Sequence, residues 1–417
     1  MSAQREIGIV GAGPAGILGA LEAARQAAAA CLGARVQLFD TNALVGRKLL
    51  VTGNGRCNLS NAHAAADKYA CADQRWLQTA LDLCGHADTI WRLHDLGILT
   101  YATEDGWCYP VSNAAATVQE SLAAALEVAG VQVHLQTKVH DIRIEGGRPV
   151  LCMAAPQDRR PMDRVVLATG GKAYPALGAT GELFPVLARL GHHIEPLRPA
   201  LAPLLADMRA LNALQGVRLD AGLELREGER LLGETIGNIM FTQTGLSGPG
   251  AMDLSHLVSA RPGSDLRLTL NLAPWAHDEL LELLAAKRGT SWPLRVLLGA
   301  VLPAKVPVVL LSMADISTEA RMTDVSQVDL ERLDRTLTAL PLRVTGTRGF
   351  QQAQVSAGGV SVSEVDPTTM ASLRVPGLHL AGEVLDVVGP CGGYNLQFAF
   401  TTGMLAGRGA AAEGQSG

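Results

Sequence analysis

The sequence is poor in aromatic residues: Phe, Trp and Tyr make up 4% of its 417 residues. Stacking platforms for single-stranded nucleic acid are therefore scarce. Positive charge is not in excess either. The formal net charge is −5, whereas a general nucleic-acid binder is usually basic. The seven cysteines (31, 57, 71, 84, 108, 152 and 391) include no C-x-x-C pair and are odd in number. That argues against a disulfide framework or a zinc site, and no metal site is expected. No uninterrupted apolar run of about 18 residues reads as a membrane span. The apolar N-terminal stretch carries GAGPAG, Glu22 and Arg25, which is not a signal-peptide layout. The expectation is a cytoplasmic protein without a membrane partner. Hydrolase signatures are missing as well. There is no H-E-x-x-H, and GLSGPG (Gly245–Gly250) has the wrong spacing for G-x-S-x-G.

What is present is a well-packed globular composition, 48% hydrophobic and 18% charged, on a chain long enough for two or three domains. The first forty residues read strand (Arg5–Val10), turn (Gly11–Gly16), helix (from Pro14 to about Ala30) and strand (Arg35–Asp40). This is half of a doubly wound βαβ unit. A long loop rich in glycine, asparagine and cations follows, GRKLLVTGNGRCNLSN (Gly46–Asn61); loops of that length are often functional. A buried strand then ends in a second glycine turn at Asp163–Gly171. Residues 193–345 break the pattern with proline-punctuated strands and helices, and carry 15 Lys+Arg against 18 Asp+Glu. From about Gly346 the strand–glycine–helix pattern returns. The predicted architecture is α/β: a Rossmann-like domain from 1–192 and 346–417, with 193–345 inserted as a substrate or cap region.

Gly11, Gly13 and Gly16 form G-x-G-x-x-G between the predicted strand and helix. The first glycine permits the tight turn, the second admits a pyrophosphate to the backbone, and the third allows close helix–sheet packing. Pro14 and Ala15 open the helix, whose free N–H groups and partial positive charge suit an anion. Asp40 ends the next strand, where a carboxylate can accept from a ribose hydroxyl. The motif does not choose between NAD and FAD; the later glycine turns favour FAD. Ala168, Thr169, Gly170 and Gly171 close one strand as a flavoprotein backbone does where it passes the nucleotide. Gly382 and Glu383 close another. Gly392 and Gly393 then start a helix through Tyr394, Asn395 and Leu396, with Ala399, Gly403 and Gly407 spaced for close packing on a neighbour. The negative group expected at this helix start is the N1–C2=O edge of a flavin ring, which becomes anionic on reduction.

Seven segments together resemble the YhiN/BaiN-like, or aminoacetone-oxidase-like, family of FAD-binding flavoproteins. They are GAGPAGILGA, GRKLLVTGNGRCNLSN, GWCYPVSN, LATGGKAYPALGATG, FTQTGLSGPG, SAGGVSVSEVDPTTMAS and VPGLHLAGEVLDVVGPCGGYNLQFAFTTG, and they run nearly the whole chain in order. The resemblance implies an FAD domain built from both chain ends, an inserted β-barrel-like domain with a helical domain, and non-covalent FAD. It also implies oxidation of small amines, or NAD(P)H-driven reduction of conjugated C=C bonds, including uridine in ribosomal RNA. Two positions depart from the family pattern. Gln243 stands where a histidine is expected, and Cys391 where a threonine is expected.

Flavin carries out hydride transfer, while protein groups position, protonate and exclude solvent. Cys57 in the long loop and Cys391 at the late helix start are candidate catalytic thiols, since a helix N-terminus lowers a thiol's pKa; the alternative is that both fill space. Lys48 and Arg56, with Gly53 beside them, are expected to contact FAD or an acidic ligand. Tyr174 and Tyr394 either flank the ring or pack. No second strand–G-x-G-x-x-G–helix unit is present, so a dedicated NAD(P)H domain is not expected; NAD(P)H as a reductant docking transiently over the flavin stays open. Three readings follow: a reductase of an electron-poor C=C bond, an oxygen-using amine oxidase, and a flavoprotein acting on ribosomal RNA, which the charge balance does not support.

Overall fold

The computed structural model describes residues 4–412 apart from 32, 154 and 156. The chain forms two compact units, Met1–Leu197 with Val355–Gly417, and Arg198–Gln354; the sequence pattern had placed the joins at 192/193 and 345/346. Each unit has its own hydrophobic core.

The first unit is organised by a five-stranded parallel sheet. Its strands are β1 (Arg5–Val10), β2 (Ala34–Phe39), β3 (Gln132–His134), β4 (Arg164–Leu167) and β5 (Leu378–Leu380). They lie in the order β5-β4-β1-β2-β3. β1 is central, with Ile7 and Ile9 buried on one face and Val10 on the other, as expected of parallel strands covered on both faces. β5 arrives from the far end of the chain and pairs with β4 at Val165–Leu378 through Leu167–Leu380. One Rossmann-type sheet is therefore shared by both chain ends. Parallel order puts every strand's carboxyl end on one edge, where open α/β sheets bind ligands. Residues 139–145, 148–153 and 159–161 form a separate antiparallel sheet.

Two helices join the ends. α1 (Pro14–Ala29) follows β1, and α2 (Tyr394–Ala411) closes the chain. They touch backbone to backbone. A Cβ on Gly403 would lie 2.3 Å from the Ala15 carbonyl oxygen, and one on Gly407 would lie 2.2 Å from that of Gly19. Only glycine fits there. The same pair buries Glu22 of α1, which is 1% exposed. Its carboxylate meets Arg25 at 2.8 Å, Arg92 of the helix His86–Asp95 at 2.9 Å, and Arg408 of α2 at 3.0 Å. Burial alone would raise its pKa. Hydrogen bonds from Arg25 and Arg408 and the charge of Arg92 outweigh that, so the net shift is downward.

In the second unit six antiparallel strands close a barrel. Leu204–Ala206 is followed around it by Gly245–Ser247, Arg230–Thr242, Arg218–Glu227, Leu266–Asn271 and Leu340–Thr347. Leu204 pairs with Thr347, closing the ring. Four helices between its last two strands (His277–Ala286, Leu294–Leu298, Val306–Met313 and Gln327–Thr338) form the helical part. The barrel-plus-helix insert anticipated from the sequence is thus present. Gln243 sits exposed in a barrel turn.

Replacing Glu22 by alanine leaves the arginines facing one another without their carboxylate. A loss of about 3–5 kcal/mol is expected for the first unit in denaturant titration at neutral pH. The folded carboxyl's pKa is depressed, so its stabilisation is present above the ordinary carboxylate range and is lost as pH falls through the folded value. The gap between wild type and Glu22→Ala should therefore narrow in acid. Equal stability at neutral pH would contradict this role for Glu22.

Candidate cofactor site

The glycine turns that the sequence spread over nearly four hundred residues converge at the carboxyl edge of the parallel sheet. After β1, Gly11 adopts φ +103°. A Cβ there would lie 2.4 Å from the Ala168 carbonyl oxygen, and one on Gly16 would lie 1.8 Å from that of Gly11. Neither position tolerates a side chain. Gly13 is different: a Cβ there would meet nothing within 4 Å. Gly13 is the N-cap of α1, with Pro14 in the first turn and no side-chain cap. The space beside the N-cap is therefore open, and a helix start without a side-chain cap, carrying the N–H groups of Ala15 and Gly16, suits an anionic group. Gly170, at φ +73°, is equally open.

Asp40, just after β2, accepts from the Ala12 N–H at 2.6 Å and from the Asn42 N–H at 2.7 Å. These bonds fix the carboxylate beside the turn and leave it lone pairs for further donors. Gly382, after β5, lies against α1: a Cβ there would be 2.9 Å from that of Ala15. Its N–H donates to Thr402 Oγ1 of α2 at 2.9 Å. Glu383 accepts from the Ser356 N–H at 2.7 Å and pairs with Lys48 Nζ at 2.9 Å. Ser356 Oγ in turn accepts from the Lys172 and Ala173 N–H groups. A Cβ on Gly171 would press within 2.8 Å of Ser356 and Glu383. Ser356 was missed as a site residue; its only signal was its place in a glycine-rich segment.

The start of α2 is set by the loop before it. Gly392 and Gly393 take φ +113° and +97°. A Cβ on Gly392 would lie 2.8 Å from Trp107 Nε1, and one on Gly393 would lie 2.2 Å from the Ser60 carbonyl oxygen. Asn61 Nδ2 donates to the Gly392 carbonyl at 2.9 Å. Asn395 turns its amide back on the loop, accepting from the Gly389 N–H and donating to the Gly389 carbonyl. Tyr69 donates to the Tyr394 carbonyl at 2.9 Å, and the two rings meet edge to face. Tyr394 is thus a buried brace for the helix start. Leu396 is partly buried against the core, and Tyr174 is half-buried in a left-handed turn. Below this end of α2, buried Ser60 Oγ donates to Gln397 Oε1 at 2.5 Å and lies 2.8 Å from His86 Nδ1. Nothing in the sequence paired these three.

The long loop contributes unequally. It is not irregular throughout: Arg47–Gly55 is 3-10 turn, kinked at Thr52–Asn54. Gly53 and Asn54 are left-handed. Arg56 stacks its guanidinium 4.4 Å from the centre of the Tyr109 ring. Cys57 is completely buried, and burial pushes its thiol up to about 11. Cys391 is half-exposed beside the α2 start.

A Rossmann sheet with glycine turns and two helix starts at its carboxyl edge is the arrangement of a dinucleotide-binding protein. The HI0933-like protein Rossmann domain matches residues 5–409, so the chain belongs to that family, the YhiN/BaiN-like group its motifs resemble. The 3-dehydro-bile acid delta(4,6)-reductase of Clostridium scindens is 33% identical over 410 residues, covering 97% of this chain and 98% of that protein. The ribosomal RNA dihydrouridine synthase of Haemophilus influenzae is 28% identical, covering 96% of this chain and 97% of that protein. Among solved structures, the 3-ketosteroid delta1-dehydrogenase of Sterolibacterium denitrificans in complex with 1,4-androstadiene-3,17-dione shares the fold at a TM-score of 0.51 and 13% identity, covering 97% of this chain and 99% of that one. No helix among the described residues is long and apolar enough to cross a membrane.

Thiol mapping checks the placement of Cys57. In the native protein at about pH 8, iodoacetamide should label exposed Cys31 and leave Cys57 unlabelled until denaturant is added. Labelling of native Cys57 as fast as Cys31 would contradict a buried, protonated thiol.

Proposed function

We propose that this protein is an FAD-dependent oxidoreductase that uses NAD(P)H to reduce an electron-poor C=C bond of a small molecule. The observation that carries the cofactor assignment is the open space in front of Gly13, where the uncapped α1 start meets the turns after β4 and β5. Ala15 and Gly16 N–H groups hold the pyrophosphate, and Asp40 holds the adenosine ribose. The turn residues Ala168–Gly171, with Gly382 and Glu383, line the path of the cofactor. Lys48, neutralised by Glu383, fixes that carboxylate beside it. The uncapped α2 start at Gly393 faces the ring's N1–C2=O edge and favours negative charge there. Bound FAD supplies hydride acceptance and donation. Arg56 and Gly53 shape the outer loop, and Gly392, Tyr394, Asn395 and Leu396 hold the helix start in place. Cys391 is the thiol nearest the helix start that solvent reaches, and we assign any proton donation by a thiol to it rather than to Cys57.

The 33% identity to a named C=C reductase, over nearly the whole of both chains, favours this reaction. A second reading, reduction of uridine in ribosomal RNA, draws on the Haemophilus relative. The net charge of −5 offers RNA no general electrostatic attraction.

Anaerobic mixing with NADH or NADPH separates the chemistries. Bleaching of the flavin by a nicotinamide, followed by reoxidation with a conjugated enone, is the expected result. Bleaching by amines only, with peroxide release in air, would overturn the reductase reading in favour of an oxidase. Salt-dependent RNA binding with turnover on ribosomal RNA alone would support the second reading.

A further inference from the structure

One polar atom near the α2 start has no partner. Asn58 is 8% exposed, and its Oδ1 is buried without a hydrogen bond. Buried side-chain acceptors are seldom left unmade, because the lost hydration is not recovered. This oxygen lies against the start of α2. A Cβ on Gly393, the N-cap of α2, would come 2.8 Å from it. The backbone that carries Asn58 is held on both sides. The Cys57 N–H donates to the Thr52 carbonyl at 3.1 Å, and the Leu59 N–H donates to the Cys108 carbonyl at 2.7 Å. Gly53 is left-handed, and a Cβ there would lie 3.0 Å from the Asn58 nitrogen.

An amide oxygen asks for a donor. A phosphate, a carboxylate or a ring carbonyl cannot satisfy it. The uncapped helix start beside it offers N–H donors and asks for an acceptor. Acceptor and donor side by side are what the C2=O and N3–H of a flavin's pyrimidine ring present. We infer that the Asn58 side-chain oxygen accepts a hydrogen bond from the flavin N3–H while the α2 start donates to the neighbouring C2=O. Asn58 is then a cofactor-binding residue that reads the imide edge of the ring. This rests on the FAD reading above.

The test compares FAD with N3-methyl-FAD, which lacks the donor, on the full-length chain stripped of cofactor. Affinity is read from quenching of flavin fluorescence, and ring environment from the visible bands. Wild type should bind FAD at least about tenfold more tightly than N3-methyl-FAD, and Asn58→Ala should lose about tenfold for FAD while losing most of that discrimination. Asn58→Asp keeps an acceptor and should hold FAD within about threefold of wild type. Equal FAD affinity in wild type and Asn58→Ala, or an undiminished N3-methyl penalty in Asn58→Ala, would overturn the inference and leave the FAD reading standing. Should Asn58→Ala fail to fold, equal binding of the two flavins by wild type overturns it alone. A wild-type chain that binds neither flavin removes the cofactor reading itself, and the inference with it.

Discussion

The structure depends on the backbone contact between α1 and α2. Residues near position 15 and residues near position 403 are remote in sequence, and they meet at 2–3 Å from where a side chain would begin. Ala15 and Gly19 on one helix and Gly403 and Gly407 on the other make that approach possible. The closeness brings Gly382 against Ala15 and lets Thr402 hold the Gly382 N–H. It also sets the α2 start relative to the α1 start, so that two positive helix ends serve one edge of the sheet. A methyl group at Gly403 would have to force the helices apart, and both ends of the site would move with them.

Close backbone packing recovers dispersion contacts, but it also brings α1, α2 and the helix His86–Asp95 together around Glu22. The buried carboxylate is tolerated because three guanidinium groups surround it. Such a cluster adds little net stability over an apolar core, yet losing one member is costly. It therefore fixes which helix faces meet. The Ser60–Gln397–His86 chain does similar work under the α2 start, where Gln397 Nε2 also donates to Thr89 at 2.9 Å and to Thr401 at 3.0 Å. The end of the helix at the candidate site is thus braced on its buried side and has no side-chain cap.

Much of this was legible in the sequence. The strand–GAGPAG–helix unit, an inserted region and the return of the strand–glycine–helix pattern after it follow from local pattern: buried β-runs, glycine spacing and apolar periodicity. The barrel with its helices was implied by the family resemblance and not by local pattern. The small residues at 399, 403 and 407 announced close helix packing, and Gly403 and Gly407 provide it. Tertiary pairings were not legible. That Lys48 meets Glu383, 335 residues away, that Arg56 stacks on Tyr109, and that Ser356 supports the turn at Gly171 depend on how loops from different strands meet. Cys57 reads as a candidate thiol beside cations in the sequence; only the fold shows it sealed in the core. Asn58, next to it, drew no notice, because an unmade hydrogen bond is a property of surroundings and not of spacing.

The central claim is that the two chain ends together hold one FAD without a covalent bond. It is tested most directly by the visible spectrum and cofactor content of the full-length protein, purified gently and then denatured. One FAD per chain, released intact on denaturation and giving flavin bands before it, is the expected result. A colourless protein that takes up no FAD when the cofactor is supplied would contradict it.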